Sequence, residues 1–156
     1  MCDVSTCINW KKQGIEWIEL YNDGTEVINL TEFTLCGKAL LSGYLDRDGN
    51  IQEDEGLSLE AGKFALITDG GSGTEVYDNY NVGLDSIAVH VDAASLCGGL
   101  NNDGDTVTLE ENSESYDEVS YDGGDETGYS IEYHNGEFLQ SQEIDGTPGV
   151  ENSELN

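Results

Sequence analysis

Apolar and polar residues alternate with a period of two in several short runs of this chain. In Ser86–Val91, Ile87, Val89 and Val91 share one face while Ala88 and His90 share the other. In Tyr129–Tyr133, Tyr129, Ile131 and Tyr133 oppose Ser130 and Glu132. Thr106–Leu109 and Glu118–Tyr121 repeat the pattern. Side chains on a strand point alternately to its two sides, so this period marks strands with one buried face. Ile15–Tyr21 and Phe64–Thr68 are denser apolar runs, as expected of central strands, and 26–35 reads as one or two more. Between the runs lie Asn22-Asp23-Gly24, Asp48-Gly49-Asn50, Asp69-Gly70-Gly71, Asn101-Asn102-Asp103-Gly104, Asp122-Gly123-Gly124 and Asn135-Gly136. These residue types close tight turns, through positive φ at Gly and Asn and through Asx hydrogen bonds. No run keeps a helical period. The expectation is an all-β sandwich or barrel of about seven or more short strands. The segments 39–56 and 70–85 read as long polar loops, and the tail 150–156 as a short fraying end.

Charge then limits the function. Five Lys and Arg stand against 33 Asp and Glu, a formal net charge of −28. No Lys or Arg follows Lys63, although 21 acidic residues do. Phosphate recognition needs a basic patch, so nucleic-acid binding is excluded, and so is attraction to an anionic membrane surface. No apolar run reaches the roughly 18 residues of a membrane span. Residues 1–14 lack the continuous apolar stretch of a signal peptide. Charge this high can accompany disorder, but disordered chains are poor in aromatic and β-branched residues. This one is 37% hydrophobic, with eight Tyr and two Trp. The reading is one folded domain over 1–156, with its core at about 4–149 and an acidic surface.

The order of the strand motifs resembles the lamin tail domain family. Glu16-Trp17-Ile18-Glu19-Leu20-Tyr21-Asn22 looks like its opening signature. Asn29–Leu35, Leu59–Ile67 and the specific stretch Leu100–Leu109 follow in the family's order. Asp117–Asp122, Gly128–Glu132 and Thr147-Pro148-Gly149 complete it, so the resemblance spans roughly 4–152. Phe33 stands where the family usually has Trp, and Tyr133 where it often has Arg. The resemblance implies an immunoglobulin-like β-sandwich without catalytic residues, used for interaction or anchoring. It also implies occurrence in secreted or cell-surface proteins, often beside other domains of a longer chain.

The four cysteines are Cys2, Cys7, Cys36 and Cys97. An even number in a Gly-rich domain of this kind points to disulfides in an oxidising compartment. Of the three possible pairings, Cys2–Cys7 with Cys36–Cys97 is favoured, the second stapling two strand ends. Four free thiols are the alternative. Zinc is disfavoured, because there is no Cys-x-x-Cys pair and neither His90 nor His134 has ligand spacing to a thiol.

Asp46-Arg47-Asp48-Gly49-Asn50 opens like an EF-hand loop, with oxygen ligands at alternate positions. The pattern then fails, with Ile51 at the position of the invariant glycine and Leu57 at that of the closing glutamate. An acidic surface loop is the plainer reading. A looser calcium site using Asp46, Asp48, Asn50 and Asp54 is the other, and no other cofactor is expected. Neither histidine sits in a nucleophile or zinc-protease motif, and carboxylates are too abundant for any pair to mark a glycosidase. The function expected is a non-enzymatic structural or interaction module with a protein or surface-polymer partner. The alternatives are a calcium-dependent adhesive or carbohydrate-binding domain and, less favoured, a small hydrolase. Trp10, Tyr77 and Tyr80 are candidate contact aromatics, unless they pack inward.

Overall fold

A computed structural model gives the structure, and it describes residues 6–12, 15–53, 56–71, 76–101, 103–122, 129–134 and 137–153. The strands follow the sequence in order: β1 (Thr6–Lys12), β2 (Ile15–Tyr21), β3 (Ile28–Asn29), β4 (Phe33–Leu35), β5 (Lys38–Ser42), β6 (Tyr44–Leu45) and β7 (Ile51–Gln52). Then come β8 (Ser58–Leu59), β9 (Phe64–Thr68), the single helical turn α1 (Val76–Asn79), β10 (Ser86–Val91), β11 (Gly104–Glu111), β12 (Glu114–Asp122), β13 (Tyr129–His134) and β14 (Glu137–Ile144). Short 3-10 turns occupy Leu30–Glu32 and Leu96–Gly98.

Ten strands pair in the order β12-β11-β4-β5-β10-β9-β2-β1-β13-β14. The sheet folds over at β5. Lys38 and Ala39 pair with β4, whereas Leu40, Leu41 and Ser42 pair with β10. A strand that changes partners along its length turns the corner of a sandwich. One layer is therefore β10-β9-β2-β1-β13-β14 and the other β4-β11-β12. Ile18, Leu20, Ala65, Ile67, Val89, Val91 and Ile131 face Phe33, Leu35, Val107, Leu109 and Tyr121 in one buried cluster. This is the immunoglobulin-like sandwich expected above.

β2 and β9 are buried on both faces. Opposite the main core, Trp17 and Leu66 pack with Val76 and Tyr80. The reason lies in connectivity. β9 and β10 run parallel, from Ser86 opposite Phe64 to His90 opposite Thr68. Parallel neighbours need a crossover of about a dozen or more residues, and here it lays α1 over the outer face of the larger layer. Tyr80 meets Trp17 edge-to-face, with ring centroids 6.2 Å apart.

Four expectations are corrected by these packings. Residues 39–56 are not a long loop but supply β5, β6 and β7. Residues 70–85 carry α1 and bury Val76 and Tyr80, so Tyr80 is core and not a contact aromatic. Tyr77 is half-buried and stacks 4.0 Å from Tyr44, centroid to centroid; the side chain of Trp10 lies outside the described set. The chain after Gly149 does not fray at once, because Ser153 is buried against the sheet.

Candidate functional site

β2 and β13 each carry a glutamate that sequence reading left unremarked. Glu19 and Glu132 lie on the outer face of the larger layer, 1% and 0% exposed. A buried carboxylate is tolerated only where hydrogen bonds replace its water. The donors come from the C-terminal segment. Glu132 accepts from the Thr147 hydroxyl at 2.8 Å, the Ser153 backbone N–H at 2.8 Å and the Ser153 hydroxyl at 2.6 Å. Glu19 accepts from the Gly149 N–H. Burial alone would push the Glu132 carboxyl up; the bonds from Ser153, Ser141 and Thr147 together outweigh it and hold the group below the ordinary glutamate value. Gly149 has φ 78°, and a Cβ there would lie 2.8 Å from the Gly83 nitrogen. The segment thus passes within backbone contact of the crossover, and the Gly83 N–H donates to the Pro148 carbonyl at 2.8 Å.

Both carboxylates bind the C-terminal segment to the sheet. Among the described residues, two clefts of about 300 Å³ open on the surface. One is walled by residues such as Lys63, Asp85 and Ile87, the other by Tyr80, Glu143, Asp145 and Val150. Neither wall includes a histidine, Glu19 or Glu132. His90 is buried, with Nδ1 3.0 Å from the Gly43 carbonyl oxygen, so Nδ1 carries the proton and donates.

Cys36 and Cys97 are joined by a disulfide, Cα to Cα 5.2 Å. It ties the β4–β5 turn to the connection between β10 and β11, and so staples the two layers at one end. Both residues have positive φ, 47° and 49°, a region costly for a side chain with a Cβ. Cys2 lies outside the described residues, as does the Cys7 side chain.

Asp46, Asp48 and Asn50 sit in the turn between β6 and β7. The Asp46 carboxylate accepts from the backbone N–H groups of Asp48 and Asn50 at 3.0 and 2.9 Å, and from the Gln52 amide at 2.8 Å. Asp54 lies outside the described residues. Among the described residues, no three His, Cys, Asp or Glu side chains gather as a cation would require.

The smaller layer turns acidic side chains outward, among the many exposed on loops and turns. On β12, Glu114, Glu118 and Asp122 are exposed, while Tyr121 is buried and donates its hydroxyl to the Asn101 carbonyl at 2.9 Å. Beside them, Thr106 and Ser120 share a cross-strand hydroxyl bond at 2.8 Å, and Thr34 approaches Glu110 at 3.4 Å. At the β11 end of the core, Leu100 N–H donates to both oxygens of Glu16, 3.2 and 3.3 Å away. Burial pushes the Glu16 carboxyl up, Leu100 opposes this, and the charges of Asp69 and Asp105 add to the rise.

A family model described as Lamin Tail Domain matches residues 3–123. The chain belongs to the lamin tail domain family. The match runs from the start of the larger layer through β12 and includes both cysteines of the disulfide. Hairpin β13–β14 and the C-terminal segment lie beyond it, although they complete the larger layer. Searches of curated proteins and of solved structures return no significant match. Lamin tail domains are immunoglobulin-like structural domains, a class not typically enzymatic. No helix among the described residues is long and apolar enough to cross a membrane.

Proposed function

We propose that this lamin tail domain is a non-enzymatic interaction module of a secreted or cell-surface protein, and that its acidic surface engages a cationic protein or surface polymer. The observation that carries the reading is the outward acidic face of β11 and β12, set beside a fold whose buried glutamates Glu19 and Glu132 are engaged by its own donors. A surface with net charge −28 attracts polycations over several ångströms and repels polyanions, with a strength that falls as salt rises. The Cys36–Cys97 disulfide supports an oxidising compartment. Salt or divalent cations would relieve the self-repulsion of such a surface.

The test is retention on immobilised cationic protein and on immobilised duplex DNA at physiological salt. The domain is expected to bind the first, to elute as NaCl rises, and to pass through the second. Retention on DNA, or passage through both, overturns the reading.

A further inference from the structure

The sandwich ends in two edge strands, and the chain treats them differently. β14 is the edge of the larger layer. The C-terminal segment covers part of it, since the Gln142 N–H donates to the Ser153 hydroxyl oxygen at 2.9 Å. β12 is the edge of the smaller layer, and among the described residues it pairs with β11 alone. An edge of this kind is where another strand adds, unless charge or a bulge prevents it.

β12 has both devices, placed so as to choose a partner. The register shifts between Leu109, opposite Asp117, and Glu110, opposite Ser115. This bulge turns Tyr116 inward onto Phe33, ring centroids 5.0 Å apart, and disrupts that end of the edge. From Asp117 to Asp122 the ladder is regular. There Glu118, Ser120 and Asp122 are exposed and share the outer face, while Tyr121 is buried. The Glu118 N–H donates to its neighbour's Asp117 Oδ1 at 2.8 Å. That amide therefore faces away from β11, and by the alternation of an antiparallel ladder so do those of Ser120 and Asp122.

We infer that β12 is a strand-docking edge for an extended basic segment, with Lys or Arg at every second residue. The inference rests on the cationic partner proposed above and assigns it a place. A strand added antiparallel to β12 sets its own outward-facing residues opposite Glu118, Ser120 and Asp122, on the same face. A second copy of this chain would bring like charges into those positions, so the same residues exclude self-pairing. In the free protein, Asp117 holds the Glu118 amide that the incoming strand would take.

The test is fluorescence anisotropy with a labelled peptide of alternating Lys and Thr. Binding is expected, weaker for an isomer of equal charge whose lysines are contiguous. The double variant E118K/D122K should lose roughly tenfold in affinity, as two opposite-charge cross-strand pairs become like-charge pairs. The same charge change at Glu60 and Asp48, on other turns, should cost much less. Because the outward amides of β12 belong to the residues that face the lysines, N-methylation of the lysine amides should abolish binding and N-methylation of the threonine amides should not. Equal effects of the two methylation patterns, or equal effects of the two double variants, would overturn the docking edge while leaving a diffuse acidic surface. Failure of the alternating peptide to bind while cationic protein is still retained would overturn it too. Loss of both reports failure of the proposed function itself.

Discussion

Ser153 donates its backbone N–H and its hydroxyl to the same carboxylate oxygen of Glu132, at 2.8 and 2.6 Å. The Ser153 hydroxyl oxygen also accepts the Gln142 N–H at 2.9 Å. One serine thus closes β13, β14 and the C-terminal segment around a single buried charge. The contact explains why a polar tail packs against a sheet with no large apolar side chain to hold it.

Glu132→Gln should lose about 2–4 kcal/mol, because an amide presents donors where the site already supplies them. Ser153→Ala should lose less, about 1–2 kcal/mol, since the backbone N–H remains. The pH dependence has a definite sign. The folded pKa of Glu132 lies below its unfolded value, so its contribution is fully present above the ordinary glutamate pKa and is lost as pH falls through the depressed folded value. Urea melts from pH 6 downward should show a shallower acid limb for Glu132→Gln. An unchanged limb would mean that this carboxylate does not anchor the segment.

The Cys36–Cys97 disulfide closes a sequence separation of 61 residues, which the chain-entropy model values at about 4 kcal/mol. C36S/C97S should therefore melt roughly 10 °C lower. The wild-type protein should lose as much on full reduction. A melting point indifferent to reductant would contradict the staple.

The strands were legible because alternation survives wherever one face meets water. β11 and β12 were read from it. β10 and β13 keep the same period although Ala88, His90, Ser130 and Glu132 are buried, because small or polar residues fill that second face. Asn22, which accepts the Gly24 N–H at 3.0 Å, confirms the turn chemistry at 22–24. Residues 39–52 were not legible, because β5, β6 and β7 are short and between them bury only two large apolar side chains, Leu40 and Leu45. Glu19 and Glu132 were invisible for a different reason. A charged residue in a strand reads as exposed, and the burial of each follows from the crossover and the C-terminal segment, which are tertiary facts. Their one signal was the density of polar donors in 141–153.

Glu16 points the other way in pH. Its folded pKa is raised, first by burial, so its ionisation opposes folding as pH climbs past the ordinary glutamate value. Glu16→Gln keeps an acceptor for Leu100 while removing the repulsion from Asp69 and Asp105. It should raise Tm at neutral pH and low salt, with the gain fading in 1 M NaCl. A lower Tm would show that the Leu100 contact needs the charge.

The surface as a whole should behave like Glu16 on a larger scale. At a net charge of −28, exposed carboxylates repel one another over a Debye length of about 8 Å near physiological salt and about 3 Å at 1 M. Tm should therefore climb from low to molar NaCl; a flat or falling curve would refute the acidic-shell account. Divalent cations should act at lower concentration, and at matched concentration calcium and magnesium should shift Tm equally, because the Asp46 carboxylate already accepts from Asp48, Asn50 and Gln52. A calcium-specific rise that disappears in Asp46→Asn would instead place a cation site in the β6–β7 turn.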